Sequence, residues 1–243
     1  MTTLCFDFGN TRLKVAVFKE DEFIEEIYLP DDTDETIQSL LKDTNPDHSI
    51  LSSVINHNEG IEKILAAQTV FHKLSHLTKI NFTTPVGKPE TIGADRLALM
   101  AAAAHFYPNQ NSLVIGLGSC ITYNFINQYH QFLGGAISPG MDMRFKSMHN
   151  FTAKLPLVTA DWNFPLIGYD TKTNLQSGVI VGIINEIEGF IEKYGQKFGN
   201  FNVVLTGGNS AYFASQLKYR IFADHNFLFK GLYALSETNN CPT

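Results

Sequence analysis

The sequence predicts an α/β fold built from two similar lobes, and three observations predict it. Two glycine-turn hairpins recur at an offset of 109 residues, Gly9 onto Gly118. Each is followed by helix-like and strand-like runs in alternation. Nothing between the two halves has the composition of a flexible linker.

The first hairpin, Leu4 to Phe18, reads as strand, tight glycine turn, strand; Leu13, Val15 and Val17 alternate with the period of a half-buried strand. The second runs from Leu113 to Ile126. Superposing Gly9 on Gly118 puts Asp7 on Gly116, Val17 on Ile126 and Phe23 on Phe132, so the hydrophobic frame is shared and the polar positions are not. Behind the first hairpin come a helix over Thr36 to Leu41, a buried strand over Ser49 to Val54 and a helix over Ile61 to Ala67. Behind the second comes a long helix over Thr173 to Tyr194, with Val179, Ile180, Ile183, Ile184, Ile187 and Ile191 at 3–4 spacing. A short strand, Asn202 to Leu205, then ends in Thr206-Gly207-Gly208. The boundary falls near Pro108 to Ser112, giving lobes of residues 1–111 and 112–243.

Composition narrows the function. The chain has 243 residues, 44% hydrophobic and 17% charged, with 19 Phe, which excludes a disordered or fibrous chain. The net charge of −6 disfavours a nucleic-acid binder, because phosphate-backbone binding needs basic patches. Cys5, Cys120 and Cys241 form neither a zinc spacing nor an even disulfide framework, so a reducing compartment is expected. The N-terminus lacks a basic region and carries an acid at Asp7, unlike a secretory signal. The longest apolar stretch, around Leu97 to Tyr107, is far shorter than the ~20 residues of a membrane span. A soluble cytoplasmic protein, with no membrane partner, is the expectation.

The richest segment is Asp7-Phe8-Gly9-Asn10-Thr11-Arg12-Leu13-Lys14. Amides of a glycine turn cradle phosphate oxygens, Asn10 and Thr11 can donate to them, and Lys14 can offset their charge. Asp7 would face Mg²⁺ through water, since that ion prefers a few carboxylates plus substrate phosphates. Gly-Asn is also ordinary hairpin chemistry, and on this segment alone both readings stand. No GxxxxGK(S/T) loop occurs, and Gly116-Leu117-Gly118 lacks the third glycine of a dinucleotide fingerprint, Ile121 standing there.

Gly93-Ala94-Asp95-Arg96 opens a helix that stops before Pro108. An acid in a first turn stabilises the helix start; functionally, the same carboxylate could accept a hydroxyl proton while Arg96 holds an anion. Gly134 to Gly140 reads as a Gly/Pro turn cluster, Asp170 to Gly178 as a helix start bearing hydroxyls, and Thr206-Gly207-Gly208 as a turn. His72 and His76 stand at i, i+4 without a third ligand, and solvated helix histidines are expected. No Ser-His-Asp or Cys-His arrangement rises above chance.

Taken in order, Asp7-x-Gly-Asn-Thr-x-x-Lys14, Gly93-x-Asp-Arg96, Gly134-Gly-x-Ile-x-Pro-Gly140, Thr152-Ala-Lys-Leu-Pro156, Ser177-Gly178 and Thr206-Gly-Gly208 resemble the motifs of type III pantothenate kinases. That family is a branch of the acetate and sugar kinase, heat-shock chaperone and actin superfamily. The resemblance covers nearly the whole chain. It implies two ribonuclease-H-like lobes in an actin-like ATPase fold, with the active site in the cleft. It implies ATP- and Mg²⁺-dependent phosphorylation of pantothenate to 4′-phosphopantothenate, the first step of coenzyme A biosynthesis, by a homodimer. Carried over residue by residue, Asp7 to Lys14 and Ser119 bind ATP; Gly93, Ala94, Asp95, Arg96 and Thr171 bind pantothenate; and Asp95 is the base. The family aromatic that packs on pantothenate falls at about Val86, with Phe82 the nearest aromatic. The family acid that holds K⁺ or NH₄⁺ is replaced by Gly116, and the acid ending that hairpin motif by Asn124. The cation site is therefore either lost or rebuilt from backbone carbonyls. Alternative readings are a kinase for another small hydroxylated substrate and a non-catalytic regulatory member on the same scaffold.

Overall fold

The computed structural model describes residues 1–84 and 87–240. Two compact units gather the chain: residues 1–109, 126–133 and 226–243 form one, and residues 110–125 and 134–225 the other. Each contains its own five-stranded mixed sheet flanked by helices.

In the first unit, β1 (Thr2–Phe8), β2 (Leu13–Lys19) and β3 (Glu22–Leu29) form an antiparallel meander. Helix α1 (Asp34–Thr44), β4 (His48–Ser53), α2 (Gly60–Gln68) and β5 (Val70–Lys73) follow, and the sheet order is β3-β2-β1-β4-β5 with β4 parallel to both β1 and β5. The two faces of this sheet are chemically different, and that places the site. Alternation sends Leu4, Phe6, Phe8, Val15, Val17 and Leu51 into a core shared with Ile37, Leu40 and Leu41 of α1 and Ile61 and Leu65 of α2. Helix α1 starts before its apolar stripe because Thr33 caps it, accepting from the Thr36 amide, and it ends on Asn45 in the left-handed conformation (φ 44°). Cys5 and Asp7 alternate to the opposite face, and helix α3 (Ala94–Phe106) packs on that unit against β4. Every residue of α3 from Leu97 to Ala104 is buried.

The second unit repeats the plan. Strands β6 (Ser112–Leu117), β7 (Cys120–Ile126) and β8 (Phe132–Pro139) precede α4 (Met141–Asn150), α5 (Thr171–Phe198), β9 (Asn202–Gly207), α6 (Ser210–Gln216) and β10 (Phe222–Ala223), in sheet order β10-β9-β6-β7-β8. Ile115, Tyr123 and Phe125 pack with Val179, Ile183 and Ile187 of α5. A capping box of Asp170 and Thr173 fixes the start of α5. The fold is thus α/β with two similar halves, as the sequence predicts.

Four expectations change. First, a single offset of 109 aligns β1 with β6 but not β2 with β7. The first turn is closed between Gly9 and Arg12 and the second between Gly118 and Cys120, one residue shorter, so core-facing Val17 corresponds to core-facing Phe125 rather than Ile126. Second, Gly134 to Pro139 is not a turn cluster but most of strand β8. Close packing demands Gly135 in the strand and Gly140 just after it: a Cβ on Gly135 would lie 1.6 Å from the Tyr123 carbonyl oxygen, and one on Gly140 2.2 Å from that of Gly118, whereas Gly134 takes a φ of 95°. Third, His72 lies in β5 and hydrogen-bonds Thr78 Oγ1 through Nε2 at 2.8 Å, and His76 lies in the turn beyond it, so the pair is not on a helix. Fourth, the expected second lobe ends at residue 243, whereas α7 (Phe227–Asn240) groups with the first unit. Its Phe227, Phe229, Leu232 and Leu235 are buried, and Phe227 meets the rings of Phe106 and Tyr107 at the end of α3. The hairpin tip at 126–133 also joins the first unit. Thr83 exchanges backbone hydrogen bonds with His130 and Phe132, both 2.8 Å.

Candidate active site

In the first unit, the turn between β1 and β2 is closed by one bond, the Gly9 amide donating to the Arg12 carbonyl at 3.1 Å. Asn10, Thr11 and Arg12 are exposed around it and border a cavity of about 390 Å³, which reaches Tyr28 on β3 and Ile55 after β4. That is room for a small ligand. Phe8 is fully buried, so its part is core packing beneath the turn. Lys14 faces Asp7 directly across the β1–β2 pair. It pairs with Glu26 (Nζ to Oε1, 2.7 Å), and both Lys14 and Arg12 stand over the Tyr28 ring.

The carboxyl of Asp7 is pushed up to about 7 by burial and, next, by the Asp95 carboxylate; Lys14 pulls the other way. Asp95 is raised by burial too, against the opposing pull of the Arg96 amide and guanidinium. Two carboxyls distant in sequence are therefore electrostatically coupled within one unit. Asp95 sits in the first turn of α3, after the N-cap Gly93. A Cβ on Gly93 would lie 2.5 Å from Asp95 Oδ1, so the bare glycine lets the carboxylate fold back over the helix start. Arg96 lies over the Phe132 ring at 5.5 Å. Phe132 in turn packs edge-on against Phe82, while Val86 lies outside the described residues. Gly93→Ala is expected to push Asp95 off its position, lowering kcat about tenfold or more while the midpoint of thermal unfolding stays within a few degrees. An unchanged kcat would show that this glycine does not set the carboxylate.

Sequence reasoning found no Ser-His-acid chain, yet one exists. Ser53 Oγ lies 2.9 Å from His57 Nδ1, His57 Nε2 lies 3.0 Å from Glu62 Oε1, and Lys73 Nζ binds the same oxygen at 2.6 Å. Burial raises the Glu62 carboxyl, but its bonds to Lys73 and His57 outweigh this and hold it below its ordinary range. The chain is structural: Ser53 Oγ also donates to the Ile55 carbonyl, and His57 packs edge-on against Phe8, so it braces the loop that carries Ile55. A second unexpected feature lies on β4. Ser52 is fully buried and stands opposite Asp7 in the β1–β4 register, and its Oγ has no hydrogen-bond partner.

In the second unit, the matching turn is shorter. The Gly118 amide donates to the Cys120 carbonyl at 3.1 Å, and the Gly140 amide to that of Ser119 at 3.0 Å. Ser119 is half-buried there. This corner is braced by Glu186 of α5, which accepts from Tyr123 Oη at 2.9 Å, from Ser138 Oγ and from Arg144 Nη2. Arg144 Nε donates to the Pro139 carbonyl at 2.9 Å. Periodicity could not reveal this network, because four separate elements supply it. Thr171 is exposed at the first position of α5. Gly116 stands opposite Thr206 in β9, and Asn124 is buried with Nδ2 donating to the Val114 carbonyl and Thr122 Oγ1. Among the described residues no group of three or more His, Cys, Asp or Glu side chains is arranged to hold a metal. Asp7, with the orphaned Ser52 hydroxyl beside it, suits Mg²⁺, which takes one or two carboxylates and keeps its waters and substrate phosphates as the remaining ligands.

Comparison with known proteins decides the family. The family model for type III pantothenate kinase matches residues 3–193. The chain belongs to the type III pantothenate kinase family. The type III pantothenate kinase of Christiangramia forsetii is 42% identical over 238 residues, covering 97% of this chain and 98% of its own. That of Flavobacterium johnsoniae is 39% identical over 231 residues, covering 94% and 95%. Among solved structures, a Baf family protein from Campylobacter jejuni superposes with a TM-score of 0.63 at 21% identity, covering 97% of this chain and 98% of that one. A ROK family protein from Streptococcus pneumoniae gives 0.51 at 12% identity, covering 99% and 100%. These two likenesses concern the fold alone, which this pantothenate kinase family member shares with both proteins.

Proposed function

We propose that this chain phosphorylates pantothenate to 4′-phosphopantothenate with ATP, opening coenzyme A biosynthesis, and that Asp7 and Asp95 are the centre of the reaction. The observation that supports this most is their electrostatic coupling: two acids 88 positions apart on a hairpin and a helix start, each raised by burial. The terminal hydroxyl oxygen of pantothenate bonds to the γ-phosphorus, the bond to the β–γ bridging oxygen breaks, and ADP leaves. The hydroxyl proton passes to Asp95, whose affinity for protons is raised by burial, as suits a base. Gly93, Ala94 and Arg96 hold pantothenate beside it, with Arg96 offered to the carboxylate of that substrate. Thr171 is the proposed further contact. The Asp7 to Lys14 hairpin binds ATP phosphates, with Gly9, Asn10, Thr11 and Arg12 around the turn, and Ser119 supplies the matching hydroxyl of the second turn. Phosphoryl transfer relies on such positioning and charge stabilisation rather than on covalent chemistry. Asp7 would hold Mg²⁺ through water, and that ion supplies charge neutralisation for the transferring phosphoryl group.

The family kinship also supports a homodimer and a cytoplasmic location. Among the described residues no helix is long and apolar enough to cross a membrane. The substitution at Gly116 gives the expectation that turnover depends little on potassium. A coupled assay with pantothenate, ATP and Mg²⁺, run with and without potassium, tests both points. Turnover in both conditions is the expected result. Turnover only with a different alcohol overturns the substrate, and steep activation by potassium or ammonium points to a site rebuilt from backbone carbonyls.

A further inference from the structure

We propose that Ser52 is a further positioning residue of the phosphoryl-transfer site, its hydroxyl bonding a water that Asp7 shares and that belongs to the shell of nucleotide-bound Mg²⁺. The inference rests on the kinase reading above. Asp7 and Ser52 are register partners in the parallel β1–β4 pair, so their side chains leave the same face of the sheet, and Lys14 continues that row on β2. The neighbouring pair, Phe6 and Leu51, points to the other face, into the core with α1 and α2. Ser52 therefore lies on the face of Asp7 rather than in the apolar core.

Its hydroxyl is anomalous within its own strand. Ser49 Oγ shares a hydrogen bond with Thr69 Oγ1, and Ser53 Oγ is bound to His57 and Ile55. Ser52, at 0% exposure, has no partner for its Oγ. A buried hydroxyl left unpaired is a net cost to folding, and alanine would fill the position without that cost. Its neighbour across the strand is a carboxylate with which it makes no direct bond. A hydroxyl and a carboxylate side by side but not touching are suited to one bridging water. Magnesium keeps several waters when only one or two carboxylates reach it, so Ser52 can orient the shell without entering it.

The test compares wild type with Ser52→Ala and the near-isosteric Ser52→Cys. Three quantities are measured: the unfolding midpoint without ligand, the affinity of Mn²⁺ for the protein–ATP complex by electron paramagnetic resonance, and the Mg²⁺ concentration at half-maximal turnover. Ser52→Ala is expected to unfold at the same or a higher temperature. It is expected to weaken Mn²⁺ binding and raise the Mg²⁺ half-saturation by about tenfold, the worth of one hydrogen bond to a charged assembly. The KM for pantothenate should not move, and Ser52→Cys should fall between. Unchanged metal affinity in Ser52→Ala overturns the proposal, as does a lowered midpoint or failure to fold, which would make the hydroxyl a structural partner. The Mn²⁺ measurement needs no pantothenate. A wild type that binds Mn²⁺–ATP but does not phosphorylate pantothenate would sink the substrate assignment and leave this inference standing.

Discussion

Replacing Asp95 with Asn is expected to lower kcat for pantothenate phosphorylation by ~10²–10⁴, the usual worth of a positioned base. The fold should survive. The Asp95 carboxyl receives the Arg96 amide at the start of α3, and an Asn oxygen accepts that bond equally well. The Asn amide cannot, however, take a proton from the substrate hydroxyl. Far-UV circular dichroism and the unfolding midpoint should therefore match wild type while turnover collapses. The KM for pantothenate should change far less than kcat, because the other groups proposed to bind it, Gly93, Ala94 and Arg96, remain. A variant that retained full kcat would remove Asp95 from the reaction and leave it a helix cap.

Asp7→Asn should separate activity from stability. In the folded chain Asp7 keeps its proton up to about pH 7, because burial and the Asp95 carboxylate disfavour the anion. In the unfolded chain it releases that proton near the ordinary carboxyl value of about 4. Between those values the folded state binds more protons, so the contribution of Asp7 to stability falls as pH rises through this window and stays low above it. Asn carries no such charge. The variant without ligand should match wild type at about pH 4 and exceed it at about pH 8 by on the order of 2 kcal/mol, after allowance for the partial exposure of Asp7. Denaturant unfolding at the two pH values measures this. Turnover should fall by ~10²–10³ at about pH 8, since the variant lacks the charge proposed to face Mg²⁺. A variant that is less stable at the higher pH would show that the anion is satisfied by partners in the folded protein.

The residues legible in the sequence were those whose chemistry sits beside a periodic signal. Asp7 to Lys14 lies on a hairpin whose return strand places Leu13, Val15 and Val17 at every second position, and Asp95 opens a helix that stops before Pro108. Less legible were elements whose residues obey packing rather than propensity. Strand β8 hides behind Gly134, Gly135 and Pro139: Gly135 is there because the neighbouring backbone leaves no space for a Cβ, and Gly134 because its φ of 95° favours glycine. The fixed repeat offset failed because the two turns differ in length, which alternation on either side does not report. The Glu186 brace escaped notice because Tyr123, Ser138 and Arg144 approach it from three other elements.

The sequence by itself determined the α/β class, the doubled hairpin, the separation of a phosphate-type turn from a helix-start acid, and the family. All of these follow from local periodicity and from short motifs whose residues are adjacent in the chain. Only the tertiary structure decided that Asp7 and Asp95 act on one another, that α7 belongs with the first unit, and that a single serine beside Asp7 is buried without a partner. Those are facts of strand register and of through-space electrostatics. They depend on which distant segments fold against each other, and side-chain order along one strand does not encode that.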